Sequence, residues 1–183
     1  MEELEINNLL NLNETIASDL FNEKTYPWEI LNDIKGFIIK LGKTLDLNKF
    51  NKVGENIWIA KSAKVSQTAC VIGPAIIDEE AEIRHGAFIR ENVIIGKKCI
   101  VGNSTEIKNA ILFNETQVPH FNYVGDSILG YKSHMGASSI LSNVRSDKNN
   151  VTVKINGEKI QTGLEKFGSV LNRRDGKSDE CSV

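Results

Sequence analysis

Ile77-Asp78-Glu79-Glu80-Ala81-Glu82-Ile83-Arg84-His85-Gly86-Ala87-Phe88-Ile89-Arg90-Glu91-Asn92-Val93-Ile94-Ile95 repeats itself every six residues. One aliphatic side chain opens each unit (Ile77, Ile83, Ile89, Ile95), and a small one follows four positions later (Ala81, Ala87, Val93). Outward from this stretch the aliphatic series runs back through Val71, Val65 and Ile59 and on through Val101, Ile107 and Phe113. With roughly a quarter of positions aliphatic by chance, such a run arises on the order of once in a million trials. A helix of 3.6-residue period would rotate these positions around its whole circumference. A lone flat strand, of period two, would not confine small residues to one slot in six. The pattern is that of a mainly β chain, a parallel β-helix of hexapeptide repeats.

Three such units close one coil of 18 residues, so position n lies beneath n+18. The coils stack about 4.8 Å apart through parallel hydrogen bonding. The aliphatic residue fills the interior and the small one sits beside a corner. The series runs to about Val118, breaks over Pro119–Tyr123, and resumes at Leu129, Met135 and Leu141, with Ser133 and Ser139 in the small slot. A break in a strict repeat predicts an extruded loop, here 118–125, and such loops often bear function.

The flanks follow other rules. In residues 1–52, Leu4, Ile6, Leu9, Leu10, Leu12, Ile16, Leu20 and Phe21 recur at helical spacings, and Pro27 interrupts. Trp28, Ile30, Leu31, Ile34, Phe37, Ile38 and Leu41 then predict a second helix ending near Gly42. This part reads as an N-terminal helical cap over the open first coil, or as a subunit contact. Residues 53–171 form the β-helix. Within it, Val151, Val153 and Ile155 alternate with polar residues before Asn156-Gly157, which predicts a β-hairpin over 151–162 projecting from the solenoid. Phe167–Leu171 reads as re-entry into a coil, and 172–183 as a polar tail.

The 183 residues carry 22 basic and 24 acidic side chains, so charge implies no nucleic-acid partner. No apolar run reaches the roughly 18 residues of a membrane span, and the acidic start is unlike a secretory signal. The expected location is the cytoplasm. Cys70, Cys99 and Cys181 show no metal spacing, and Cys99, in the small inward slot, reads as packing.

Two groups of residues point to chemistry. Arg90 and Lys108 each follow an inward aliphatic residue and lie 18 apart, so they should stack on one face, close enough to hold a phosphate. Two solvated charges on a wall are the alternative. His120 is the titratable residue of the predicted loop and fits a general base, with an ordinary surface histidine as the alternative. His85 and His134 do not join it in a metal-binding spacing, so no metal is expected.

Val101-Gly102-Asn103-Ser104-Thr105-Glu106-Ile107-Lys108, Val118-Pro119-His120-Phe121-Asn122-Tyr123-Val124-Gly125-Asp126 and Met135-Gly136-Ala137 with Asn143 resemble the acetyltransferase half of the bifunctional sugar-1-phosphate nucleotidylyltransferase/acetyltransferase family. The likeness is greatest to its shorter members named UDP-N-acetylglucosamine pyrophosphorylase-related, which share Lys24-Thr25-Tyr26-Pro27-Trp28-Glu29. The resemblance implies a left-handed coil and a homotrimer with sites at subunit boundaries. It also implies an acetyl-CoA-dependent N-acetyltransferase acting on an amino-sugar 1-phosphate such as glucosamine 1-phosphate, in nucleotide-sugar biosynthesis. His120 would be the catalytic base, Glu106 the carboxylate that positions it, and Asn143 a catalytic residue near the amine. Arg90 and Lys108 would grip the phosphate and Tyr123 contact the substrate. Val144 stands where the family has tyrosine. The family's further coils, which build much of its acetyl-CoA groove, and its nucleotide-binding Gly-rich loop have no counterpart in these 183 residues. Nucleotidylyltransferase activity is therefore not expected. The alternative is a catalytically silent relative that binds sugar phosphate or nucleotide sugar, or serves as an assembly partner.

Overall fold

A computed structural model of the chain describes residues 2–172. Short parallel strands stack coil on coil into three walls. The first wall is built from Lys64–Val65, Glu82–Ile83, Ile100–Asn103 and Gln117–His120. The second stacks Cys70–Val71, Phe88–Ile89, the opening residues of Glu106–Leu112 and Tyr123–Leu129, and Ile140–Leu141. The third holds Ile57–Ala60, Ala75–Ile77, Val93–Ile95, the closing residues of those same two long strands, and Val170–Leu171. The predicted inward residues do line the interior: Ile77, Ile83, Ile89, Ile95, Val101 and Ile107 are at most 1% exposed. Non-glycine residues with positive φ mark the corners, among them Glu80, Lys98, Glu115 and Lys132 on one and Asn92, Asn109 and Asp126 on another.

The repeat length changes partway up. Ile59 pairs with Ile77 and Ile77 with Ile95, eighteen residues apart, whereas Ile95 pairs with Leu112 and Leu112 with Leu129, seventeen apart. One residue is lost at the corner that contains Asn109. Leu112 therefore takes the inward place expected of Phe113, which faces outward and meets Phe21 edge-on at 5.9 Å. For the same reason the extruded loop at 118–125 does not exist. Val118 pairs with Val101, His120 with Asn103 and Tyr123 with Glu106, so this stretch stays within the walls. The break in the hexads was a shorter corner upstream.

The N-terminal segment does not lie over the first coil. Ile59, Val65 and Val71 at that end remain only partly buried. The segment covers the outer face of the third wall instead, where Trp58, Ile76, Ile94, Ile111 and Ile128 stand in one stacked row. Ile6, Leu10, Phe21, Trp28, Ile30, Ile34 and Ile38 pack on that row. The free edge of the wall is protected by Phe50–Gly54, which pairs antiparallel to Ile57–Ala60. Of the second predicted helix only Ile34–Gly42 is α-helical, a 3-10 turn at Pro27–Ile30 standing before it; the first is broken into turns, with Ile6–Leu9 its α-helical piece. Asparagines explain this: Asn8 donates to the Glu2 carbonyl and Asn11 accepts from the Asn13 amide, side-chain bonds that compete with a helix. In the Lys24–Glu29 stretch the Glu29 carboxylate accepts from the Thr25 and Tyr26 amides, and Tyr26 stacks on Trp28 at 4.7 Å.

The hairpin forms as predicted, Thr152–Ile155 against Glu158–Gln161, with Asn156 and Gly157 at positive φ. It does not stand free, because Val151, Val153 and Ile160 pack against the cluster of the covered wall. The chain then re-enters the solenoid as Val170–Leu171 beside Ile128 and Leu129. Beyond Asn172, the tail expected over 172–183 lies outside the described residues, as does Cys181. Among the described residues no helix is long and apolar enough to cross a membrane.

Candidate functional site

The second wall gathers most of the predicted site. Alternation along its strands sends every other side chain outward, and stacking aligns these into two columns. One holds Phe88, Glu106, Tyr123 and Ile140. The other holds Arg90, Lys108 and Gly125, since the Arg90 amide donates to the Ile107 carbonyl and Lys108 pairs with Gly125. Arg90 and Lys108 thus stand on neighbouring coils.

Their partners differ. Arg90 Nη1 donates to Glu106 Oε1 at 2.9 Å, and its Nε lies 3.7 Å from the Glu91 carboxylate. The Glu106 bond holds the guanidinium pKa above its ordinary value. Lys108, half-buried, has no ion pair among the described residues. An anion arriving here meets one free ammonium and the remaining N–H groups of an arginine already fixed in place.

Tyr123 and Asn143 complete this side. Asn143 Nδ2 donates to the Tyr123 hydroxyl at 3.3 Å and to the Asp126 carboxylate. Gly125 makes room for this: a Cβ there would lie 2.5 Å from the Tyr123 hydroxyl and 2.6 Å from Asn143 Nδ2. Burial pushes the Tyr123 phenol upward, with Asp126 and Glu106 adding to the shift, while the Asn143 bond and Arg90 oppose it. Tyr123 therefore keeps its proton at neutral pH and has a hydrogen to donate.

His120 stands at the corner where this wall begins. Asn122, 3% exposed, holds the turn: its Oδ1 accepts from the His120 amide, and its Nδ2 donates to the Gly136 and Ser139 carbonyls. The His120 side chain is exposed and its ring has no hydrogen-bond partner among the described residues. Beside it, Phe121 is 59% exposed at a φ of 52°. Glu106, expected to position His120, bonds Arg90 instead. The wall therefore unites Arg90, Lys108, Glu106, Tyr123 and Asn143, with His120 at its far edge from Asn143. Burial pushes the Cys99 thiol up to about 12, and its Sγ donates to the Phe113 carbonyl, so it serves packing.

Asn109, Asn122 and Asp126 belong to this arrangement and escaped the sequence reading. The signal was present: Asn92, Asn109, Asp126 and Asn143 recur every 17 residues, a spacing hidden by the assumption of 18.

A family model described as the GMPPB C-terminal domain matches residues 71–167, more than half of the chain. The chain belongs to that family. Relatives of this GMPPB C-terminal-domain chain include the bifunctional protein GlmU of Methanococcus maripaludis, 33% identical over 76% of the chain and 38% of that protein. The GlmU of Methanococcus vannielii is 35% identical over 82% of the chain and 37% of that protein. The bifunctional sugar-1-phosphate nucleotidylyltransferase/acetyltransferase of Sulfurisphaera tokodaii is 27% identical over 76% and 40%. The resemblance read from the sequence thus holds, and the chain spans about two-fifths of the length of these relatives. Among solved structures, the acetyltransferase domain of PglB from Neisseria gonorrhoeae overlaps with a TM-score of 0.29 at 16% identity, covering 46% of this chain and 48% of that one. No site residue is transferred from so slight an overlap.

Proposed function

We propose that this chain is an acyltransferase that moves the acetyl group of acetyl-CoA onto the amine of an amino-sugar 1-phosphate. The observation that carries this reading is the second wall. It sets the cations Arg90 and Lys108 beside the Tyr123–Asn143 pair, with His120, whose ring has no hydrogen-bond partner among the described residues, at its edge. Lys108 and the spare N–H groups of Arg90 bind the phosphate and fix the sugar on the wall, which makes the transfer effectively intramolecular. The amine attacks in its neutral form, since an ammonium is not a nucleophile, and His120 takes the proton it sheds as the C–N bond forms. The C–N bond forms first, turning the thioester carbonyl into a tetrahedral oxyanion; its collapse breaks the C–S bond, and His120 returns its proton to the departing thiolate. A backbone N–H holds the transient oxyanion. The names of the relatives support this direction. A site on the outer wall of a solenoid is open on one side, which a second copy in a homotrimer would close. A soluble cytoplasmic setting suits these substrates.

The silent-binder reading draws on one observation, that Glu106 already bonds Arg90 and no carboxylate among the described residues bonds the His120 ring. Calorimetric titration with acetyl-CoA and with glucosamine 1-phosphate, followed by an acetyl-transfer assay, separates the two. Turnover that His120→Ala lowers by 10²-fold or more, on the order of a general-base contribution, supports the enzyme. Sugar-phosphate binding without turnover supports the silent binder, and turnover retained in His120→Ala removes the base from His120.

A further inference from the structure

Asp126 is 5% exposed, yet it has no cation partner among the described residues. A buried carboxylate is costly unless it is satisfied, and Asp126 is satisfied by amides alone. Asn109 Nδ2 donates to its Oδ1 at 2.8 Å, and Asn143 Nδ2 donates to its Oδ2. The corner is held from both sides: the Gly168 amide donates to the Asp126 carbonyl and the Phe167 amide to the Asn143 carbonyl. At the top of this column the Asn143 amide has only one workable orientation. Both Asp126 carboxyl oxygens accept from side-chain NH2 groups, so the NH2 end of Asn143 faces it. The same NH2 group reaches the Tyr123 hydroxyl.

We propose that Asp126 is a positioning residue of the acetyl-transfer site: by fixing the Asn143 amide, it leaves Asn143 Oδ1 as an acceptor for the substrate amine and the Tyr123 O–H as a donor to a substrate oxygen. This rests on the acetyl-transfer reading above. The wall then holds the amine with a lone acceptor while the phosphate sits on Lys108 and Arg90, and the imidazole that takes the amine's proton comes from the facing edge of a second copy across the subunit boundary. Binding strength comes from the phosphate, and the amine's aim comes from Asp126 through Asn143. Loss of Asp126 should therefore act on kcat and leave KM for the sugar phosphate nearly unchanged.

The test is a double-mutant cycle of Asp126→Asn and Asn143→Ala. In Asp126→Asn the Asn143 amide is free to turn over, and kcat should fall on the order of 10²-fold, the scale of a misplaced reacting group. In the Asn143→Ala background the same change should have almost no further effect on kcat. A full additional loss there, or a rise in KM matching the fall in kcat, would overturn the proposal. The Asn143 side-chain amide resonances give a readout that needs no turnover. They should be shifted and slow to exchange in the unaltered chain, and move toward those of a free amide in Asp126→Asn. A chain without activity that still shows this change disproves the acetyl-transfer reading alone. Resonances unaffected by Asp126→Asn would disprove the positioning itself.

Discussion

Asp78, at the first corner, is 1% exposed; its Oδ1 accepts from the Glu79 amide at 2.7 Å, and its Oδ2 has no hydrogen-bond partner among the described residues. The nearby lysines are spent on its neighbour: Lys97 lies 2.7 Å and Lys49 3.5 Å from the Glu79 carboxylate. Burial pushes the Asp78 carboxyl above its ordinary range, with the Glu79 N–H and Lys97 opposing. A raised pKa in the folded state means that the folded chain binds the proton more tightly than the unfolded chain. Stability then falls as pH rises through the window between the two values, and the cost is fully present above the folded one. Asp78→Asn removes the charge and keeps an oxygen for Glu79. Relieving ~1 kcal/mol of the penalty for an unsatisfied buried group raises Tm by roughly 2–4 °C in a chain of this size. Thermal melts should show that gain at neutral pH, shrinking as pH drops to about 3. A lower Tm at neutral pH would mean that the carboxylate contributes more than it costs.

At the scale of the strand, the hexads were legible because each inward aliphatic residue is read out by the core, and Ile77 through Ile107 sit where their period places them. What misled was counting past a lost residue. After Ile107 the interior continues with Leu112, Val118, Val124, Leu129, Met135 and Leu141, steps of five, six and six that keep the same chemistry. Pro119 then passed for a loop residue, although it lies in Gln117–His120. Proline has no N–H to give the ladder, and its backbone settles over Gly102 one coil below. A Cβ on Gly102 would fall 1.5 Å from the Pro119 carbonyl oxygen. The pair explains both residues: glycine vacates the space that proline's backbone takes. Gly102→Ala must displace backbone, so a loss of about 3 kcal/mol, the upper range of overpacking, is expected in denaturant melts. Because Val118 and His120 share that strand, His120 should shift as well, and any acetyl transfer should fall by more than the loss of folded chain explains. A stable and fully active Gly102→Ala would show that Pro119 can move away without disturbing His120.

For the whole molecule, the instructive feature is a wall buried on both faces. The doublets Ile76-Ile77, Ile94-Ile95, Ile111-Leu112 and Ile128-Leu129 each send the first side chain out under the N-terminal segment and the second into the solenoid. Adjacent aliphatics in a strand mean burial on both sides, so this covering was written in the repeat itself, while the placement of His120 across the wall from Asn143 was not, because it depends on how many residues each corner spends. The segment leaves the second wall uncovered, with Phe121 and Ile140 more than half exposed there. It thus decides which walls remain available to substrate or to another copy. Deleting residues 2–45 would expose Trp58, Ile76, Ile94, Ile111, Phe113 and Ile128, at about 1.5–3 kcal/mol for each side chain fully uncovered. Light scattering should then report association in place of the native oligomeric state. Replacing Ile76, Ile94 and Ile111 by threonine in the shortened chain keeps strand-forming, β-branched residues while removing the middle three of the five apolar residues in the row. That variant should recover a dispersed β-helix by circular dichroism, because the interior formed by Ile77, Ile95 and Leu112 is untouched. If it stays unfolded, the segment is part of the folding core; if the simple deletion is already dispersed, the covering contributes little and the third wall is as free for assembly as the second.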